Sequence, residues 1–185
     1  MPRFAVSGLV TVLAIALLAL LAFGVAHQGG ENTSIDQSIA RGVDPPLPNA
    51  NLPLPILGAS GTQTISALRG KLVVLNVFAS WCDPCRAEAP ILEQEQRTLL
   101  KHNGTVLGVT YLDNSTDSET FVHQEHINYP VVRDVNGNFV RGLGSNGVPE
   151  TFIIDRQGRV VAVRRYQLAG NWLAQTVNRI LGQPA

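Results

Sequence analysis

The sequence predicts an α/β domain in which helices cover both faces of a mixed β-sheet, preceded by a transmembrane helix and a linker. Strand-like runs rich in β-branched residues alternate with helix-like segments, and two later strand-like runs are joined by a hairpin-sized turn. An uncharged apolar segment near the start predicts the membrane helix. With 185 residues and 45% hydrophobic content, the chain is long enough for one domain with its own core.

Residues 1–26 are predicted to form a membrane anchor. The apolar run at 4–26 carries no charge and, at about 1.5 Å per helical residue, is long enough to cross a hydrocarbon layer of about 30 Å. Arg3 precedes the run and Glu31 follows it, which predicts a cytoplasmic amino end and an exported remainder. A cleaved signal peptide is the alternative, because the small residues at 24–26 suit a signal peptidase. Both predict that the rest of the chain lies on the extracytoplasmic (periplasmic) side of the cell membrane, where disulfides persist.

Residues 27–50 are predicted to be an extended linker. They show no helical or alternating apolar pattern, and Pro45, Pro46 and Pro48 favour an extended, semi-rigid path. The domain is predicted to follow over residues 51–185.

The elements of this domain are predicted from their residue types and from the residues at their ends. The run at 71–80 is rich in β-branched residues and predicts a buried central strand. A helix is predicted at 86–101, because Asn103-Gly104 can form a left-handed cap after it. The remaining elements follow in order: a buried strand at 105–112, a helix at 117–127, a short strand at 130–134, a hairpin at 149–166 and a final helix at 171–182.

Cys82 and Cys85 are the only cysteines in the sequence, and they lie at the start of the helix that follows the central strand. Their spacing places them about one helical turn apart, close enough for a disulfide. A helix N-terminus stabilises a thiolate, so Cys82 is predicted to attack and Cys85 to resolve the mixed disulfide. A purely structural disulfide is disfavoured, because closing so short a loop removes little entropy from the unfolded chain.

Binding of metals, cofactors and nucleic acids is not predicted. A zinc site needs about four ligands, whereas the chain offers two thiols and four histidines, of which His123 and His126 lie three residues apart. Fourteen basic residues balance fourteen acidic residues, and no run of Lys and Arg forms a basic stripe. The charge pattern therefore gives no reason to expect a nucleic acid partner.

The stretch "LNVFASWCDPCRAEAP", together with "GVPETFIID" further along, resembles the thioredoxin superfamily and its membrane-tethered exported branch, the TlpA, ResA and CcmG (DsbE) type of thiol-disulfide oxidoreductase. The resemblance covers residues 54–181 and implies a thioredoxin-like fold. It also implies that Val148-Pro149 forms a cis-proline loop that lines the substrate groove, and that Trp81 and Pro84 belong to the groove or tune the thiols. A trans proline at the start of an edge strand is the alternative for Pro149, and a core aromatic residue is the alternative for Trp81.

The acidic residues near the cysteines predict the direction of electron flow. The resemblance gives Glu88 a role in tuning the thiols, with an ordinary exposed glutamate as the alternative. Ordinary thioredoxins carry a buried aspartate where Asn76 stands, so Asn76 is expected to be a hydrogen-bonded core residue. Negative charges on Asp83 and Glu88 counteract the stabilisation that the helix dipole gives to a thiolate on Cys82. If they raise the pKa of Cys82, the cysteine pair becomes a better electron donor. The sequence therefore predicts a reductant.

The resemblance to CcmG and ResA implies a reductant in cytochrome c maturation. Its expected partners are apocytochrome c or another disulfide-bearing exported protein, and a membrane thiol-reductant donor of the DsbD or CcdA type. A general exported disulfide reductase or isomerase is the nearest alternative, because the same pair of cysteines would serve it. A thiol peroxidase would use a lone cysteine, and a copper-delivery module would need Met ligands that the chain lacks apart from Met1.

Overall fold

A five-stranded mixed sheet lies at the centre of the described chain. The computed structural model describes residues 34–145 and 147–182, and Ala16 apart from them. Within these ranges no helix is both long and apolar enough to cross a membrane, and the predicted anchor lies outside them except for Ala16. The elements, in chain order, are α1 (Ile35–Ala40), β1 (Leu54–Pro55), β2 (Thr62–Gln63), a 3₁₀ helix (Ile65–Leu68), β3 (Leu72–Phe78), α2 (Asp83–Leu100), β4 (Gly104–Tyr111), α3 (Ser115–Gln124), β5 (Val131–Asp134), α4 (Asn138–Gly142), β6 (Glu150–Ile154), β7 (Val160–Arg164) and α5 (Trp172–Leu181).

The strands are ordered β5-β4-β3-β6-β7. β3, β4 and β5 run parallel, whereas β6 is antiparallel to both of its neighbours, β3 and β7. Every residue of β3 and β4 is buried, in agreement with the near-continuous apolar runs that predict both strands. Because β3 and β4 are parallel, their carboxyl ends meet at the same edge of the sheet.

The side chains of β3 alternate between two cores. Val74 and Phe78 point into the first core, which also receives α2, α3 and α5. Val73 and Val77 point into the second core, which receives α1, α4 and the 3₁₀ helix. Helices therefore cover both faces of the sheet, as the sequence predicts.

The structure differs from the prediction at residues 34–50, because this half of the predicted linker packs on the domain. Ile35 in α1 and Leu47 are buried in the second core. The Val160 N–H donates to the Pro45 carbonyl at 2.8 Å, so the extended, proline-containing stretch covers the edge strand β7. The chain from residue 34 onward forms one compact unit. A six-residue helix is too short to show an apolar period in the sequence, which is why the pattern predicts only an extended path.

Four short elements besides α1 lie where the sequence predicts none: β1, β2, the 3₁₀ helix and α4. The two-residue strands β1 and β2 pair with each other, and the five-residue helix α4 follows Gly137, whose φ of 72° is readily adopted by glycine. All four are too short to carry a recognisable apolar period. α4 leads into the segment that precedes β6.

Candidate active site

The two cysteines lie where the central strand β3 meets helix α2. Cys82 is the N-terminal cap of α2, and the Cys85 N–H donates to the Cys82 Sγ at 3.2 Å. The two sulfurs form a disulfide whose Cα atoms are 5.3 Å apart. Both cysteines are buried in the first core, so the positive end of the helix dipole acts on sulfur atoms that are largely shielded from water. The helix begins earlier than predicted, because Cys82 itself caps it.

Asp113 holds the turn that leads into Cys82. The Ser80 N–H and hydroxyl donate to its two carboxylate oxygens at 2.8 and 2.9 Å, and the Ser118 hydroxyl donates to it at 2.8 Å. Asp113 comes just after the carboxyl end of β4, the parallel neighbour of β3. It is not among the predicted site residues, although a polar residue past the end of a neighbouring parallel strand is a recognisable signal.

Arg86 joins α2 to α3 and to the same turn. Its guanidinium pairs with Glu125, lies 5.0 Å from the centroid of the Phe121 ring, and donates to the Ser80 carbonyl at 3.5 Å. Because the Arg86 side chain is partly exposed, solvent weakens the ion pair. Arg86 therefore braces the cysteine turn mainly through packing and geometry.

Glu88 is completely buried behind the cysteines, at 0% exposure, so the alternative of an exposed glutamate is wrong. The Asn76 side-chain amide donates to its Oε2 at 3.0 Å, and the Leu168 N–H donates to its Oε1. Burial raises the pKa of Glu88, and the two donors act against this shift. Asn76 is also buried and donates to the Thr151 hydroxyl at 3.1 Å, which confirms it as a hydrogen-bonded core residue.

Trp81, Asp83 and Pro84 surround the disulfide on the solvent side. Trp81 is 62% exposed, so the alternative of a core aromatic residue is wrong. Asp83 and Pro84 are also exposed and form the first turn of α2. The exposed indole presents an apolar surface to solvent next to Cys82 in the chain.

The Val148-Pro149 peptide bond is cis, so the alternative of a trans proline is contradicted. Val148 packs against the core that contains Cys82 and Cys85, as well as against the second core. The next residue, Glu150, opens β6 and pairs in register with Val77, near the end of β3. The segment before β6 therefore lies at the same edge of the sheet as the disulfide.

An ion cluster that the sequence does not predict lies next to Pro149. The Arg165 guanidinium donates to Glu150 at 2.8 Å and to Asp36 of α1 at 2.6 Å. Hydrogen bonding to Arg165 is the main reason why the pKa of Asp36 lies below its usual range. The pKa of Glu150 is raised because its burial outweighs the bonds from Ser145 and Arg165. The predicted hairpin brings Glu150 and Arg165 together, but no local pattern could reveal that Asp36, which precedes Arg165 by 129 residues, joins them.

Within the described residues, no group of three or more His, Cys, Asp or Glu side chains is placed to hold a metal ion. His123 lies in α3, and His126 follows that helix with a φ of 53°. Neither histidine is joined to the cysteines by any contact in the described structure.

Comparisons with known proteins give a consistent result. The model of the AhpC/TSA family matches residues 43–163. The thiol:disulfide interchange protein DsbE of Pseudomonas fluorescens is 36% identical over 121 residues, which are 64% of this chain and 64% of that protein. DsbE of Pseudomonas aeruginosa is 30% identical over 75% of this chain and 77% of its own length. A crystal structure assigned to DsbE of Chlorobium tepidum aligns with a TM-score of 0.67 and 27% identity, covering 75% of this chain and 95% of that one. This alignment confirms the thioredoxin-like fold.

Proposed function

The chain belongs to the AhpC/TSA family and to the DsbE-type thiol:disulfide interchange proteins, and from this premise we propose that it reduces disulfides of exported proteins during cytochrome c maturation. The observation that carries the proposal is the Cys82–Cys85 disulfide at the N-terminus of α2, with the buried Glu88 carboxyl behind it. The site is thus that of a thiol-disulfide oxidoreductase.

The reducing reaction needs only the two cysteines. The Cys82 thiolate attacks one sulfur of the substrate disulfide, forms a mixed disulfide and releases the other substrate sulfur as a thiolate. Cys85 then loses its proton and attacks the Cys82 Sγ, which closes the Cys82–Cys85 bond and releases the second substrate thiolate. Two electrons pass from the protein dithiol to the substrate, and the released thiolates take up two protons. In the structure the two cysteines form a disulfide, which is the oxidised state that these two steps would leave.

Glu88 is the group placed to accept the proton from Cys85. The two residues lie one turn apart on the same face of α2, and both are buried. Burial raises the pKa of Glu88, so its carboxylate is a stronger base than that of an exposed glutamate. Raising the pKa of the carboxyl brings it closer to the pKa of the Cys85 thiol, which favours proton transfer from the thiol to the carboxylate.

The substrate polypeptide is proposed to lie between Trp81 and Pro149. The exposed indole offers apolar contact area on one side of Cys82. Val148 borders the core that holds the disulfide, on the side where β6 begins, and the buried Pro149 follows it directly. Pro84 and Asp83, both exposed on the first turn of α2, complete the rim.

The pair is proposed to act as an electron donor. Support comes from the acidic residues Asp83 and Glu88, which disfavour a thiolate on Cys82 and so make the reduced form less stable. The proposed substrate is apocytochrome c or another disulfide-bearing exported protein, and the proposed electron source is a membrane thiol-reductant donor of the DsbD or CcdA type. An equilibrium potential close to that of a strong oxidant, about −120 mV, would contradict this direction.

The domain is proposed to work outside the cytoplasm, held to the membrane by residues 1–26. The uncharged apolar run at 4–26 supports this proposal. Alkaline extraction of membranes from cells that make the full chain tests it: an anchored chain stays in the pellet at full mass. A chain released at reduced mass would show that the segment is a cleaved signal peptide.

Trapping of mixed disulfides tests the substrate. A Cys85→Ser chain cannot resolve the mixed disulfide, so partners remain bound to Cys82 and can be identified by mass spectrometry. The matched control replaces both cysteines and should trap nothing. Adducts with apocytochrome c would support the proposal, whereas adducts with many unrelated exported proteins would favour a general reductase or isomerase. Peroxide consumption that depends on Cys82, without any adduct, would favour a peroxidase.

A further inference from the structure

Arg165 connects the N-terminal helix α1 to the segment that carries Pro149. It follows β7 directly and its side chain is largely buried. Its Nε and Nη2 donate to the Asp36 carboxylate, with the shortest contact at 2.6 Å, and its Nη1 donates to Glu150 at 2.8 Å. Nη2 also donates to the Leu143 carbonyl at 3.1 Å. The guanidinium thus holds a residue from each of three chain segments.

Two of these contacts lie on either side of Pro149. Leu143 caps the end of α4, and Glu150 begins β6, so Arg165 holds both ends of the connection between these elements. Val148, within that connection, packs against the core that contains Cys82 and Cys85. A change in the position of Arg165 therefore acts on the backbone beside the disulfide.

Asp36 provides most of the hydrogen bonds that orient Arg165. The carboxylate accepts from both Nε and Nη2, a fork-like arrangement that fixes the plane of the guanidinium. The guanidinium is fixed further by the ring of Phe152, whose centroid lies 5.0 Å from its central carbon. Without Asp36, two donors of a largely buried cation lose their acceptor, and the side chain is free to leave the geometry that serves Glu150.

We propose that Asp36 is a positioning residue for disulfide exchange: through Arg165 it fixes Glu150 and with it the Pro149 segment against which the substrate polypeptide lies. The proposal rests on the proposed function, and it adds a residue from outside the common fold. Asp36 and Arg165 both lie outside residues 43–163, the part of the chain that matches the family model. α1 thus serves the site although it precedes the part of the chain that matches the family model.

Enzyme kinetics with the full chain test the proposal. One probe is insulin, as a protein disulfide, with dithiothreitol as the reductant that restores the Cys82–Cys85 dithiol in each turnover. The other is dithionitrobenzoate, a small disulfide that does not need the groove, which reacts in single turnovers with the chain reduced beforehand and freed of reductant. In Asp36→Asn we expect the KM for insulin to rise about fivefold, because losing a half-exposed ion pair changes an equilibrium constant by at most about that factor. The kcat should change by less than about twofold. The rate with dithionitrobenzoate should not change. The variant Asp36→Glu, which keeps the charge, should restore most of the insulin KM.

A matched control is available in the same segment. Asp44→Asn removes the same charge at an exposed side chain that makes no contact with Arg165, and it should leave both probes unaffected. Equal KM values for Asp36→Asn and the unsubstituted chain would overturn the proposal, as would an equal rise in Asp44→Asn. A Glu150→Gln variant should raise KM in the same way, and combining it with Asp36→Asn should add little, because both act through Arg165. Fully additive effects would contradict the shared route.

A measurement without turnover separates this proposal from the proposed function. If the unsubstituted chain reduces neither probe, the proposed function fails, and amide hydrogen exchange then tests the positioning alone. Asp36→Asn should exchange faster than Asp44→Asn at the backbone amides of Gly147, Val148 and residues 150–152, which flank Pro149. Identical exchange in the two variants would overturn the proposal, whatever the enzyme activity.

Discussion

Replacing Glu88 with glutamine removes the buried proton acceptor while keeping its shape. Both carboxylate oxygens accept hydrogen bonds, one from the Leu168 N–H and one from Asn76. A glutamine can keep the Leu168 bond through its carbonyl oxygen, provided that the Asn76 amide flips and accepts from the new NH₂ group. After the flip, the Thr151 hydroxyl can donate to the Asn76 carbonyl oxygen, but the Asn76 NH₂ group loses both of its present acceptors, Glu88 and Thr151.

The substitution should therefore carry a cost in stability that does not depend on pH, while its effect on catalysis falls on one step. A positioned general base contributes on the order of 100-fold, so the resolving attack by Cys85 should slow by about that factor in Glu88→Gln, or about 2.7 kcal/mol of barrier. The rate of that step should also lose its dependence on the ionisation of Glu88. Stopped-flow fluorescence of the tryptophans, between about pH 5 and pH 9, follows the step in single turnovers.

The pH-dependent part of the stability change has a defined sign. Because burial raises the pKa of Glu88 in the folded state, stability falls as the pH rises from the unfolded value near 4.3 towards that raised pKa, above which the full cost is present. Glu88→Gln lacks this ionisation, so a pH-dependent difference in stability in its favour should build up between about pH 4 and pH 7. The difference should vanish as the pH falls towards about 4, where the carboxyl is protonated in both states.

Glu95 provides a matched control on the same helix. It is also buried, its Oε1 has no hydrogen-bond partner, and burial raises its pKa. Glu95→Gln should stabilise the fold in the same direction, yet leave the Cys85 step unchanged because it lies about two turns beyond Glu88. An unchanged rate and pH profile in Glu88→Gln would refute a proton-accepting role, as would an equal slowing in Glu95→Gln.

Three further outcomes follow from the contacts around the site. Asp113→Ala leaves the Ser80 N–H without its acceptor, so urea unfolding should show a loss of about 2 kcal/mol, and a loss below about 0.5 kcal/mol would argue against the clamp. Asn76→Asp places a second carboxyl beside Glu88, and repulsion between two carboxylates raises the pKa of the pair. Because a raised pKa in the folded state means that stability falls as the pH rises, the Tm should drop more from pH 5 to pH 8 than in the unsubstituted chain. Hydrogen bonding to Arg165 lowers the pKa of Asp36, so its stabilisation is present above the unfolded value near 3.9 and is lost in stronger acid. The Tm values of Asp36→Asn and the unsubstituted chain should then converge only in strong acid. At pH 7, a difference of more than about 1 kcal/mol in the free energy of unfolding would be too large for a half-exposed ion pair and would contradict this account.

The redox pair and its setting were predictable because they depend on neighbours in the chain. A β-branched run predicts β3, and two cysteines one turn apart at a helix start predict both a disulfide and an attacking thiolate. The burial of Glu88 was not predictable from spacing alone, since it depends on the Leu168 loop far along the chain. The same pattern that marks a tuning glutamate also fits an exposed one.

From the sequence alone come the class of fold, the two reacting sulfurs and the polar nature of their surroundings, because apolar periods and helix starts involve residues close to one another in the chain. Only the tertiary structure decides that Asn76 bonds to Glu88, that Asp113 holds the turn before Cys82, and that residues 34–50 pack on the domain. Only the tertiary structure decides, too, that Asp36 joins Glu150 and Arg165 in an ion cluster. Such contacts join segments far apart in sequence, and their existence depends on how the sheet and helices pack, which no local pattern records.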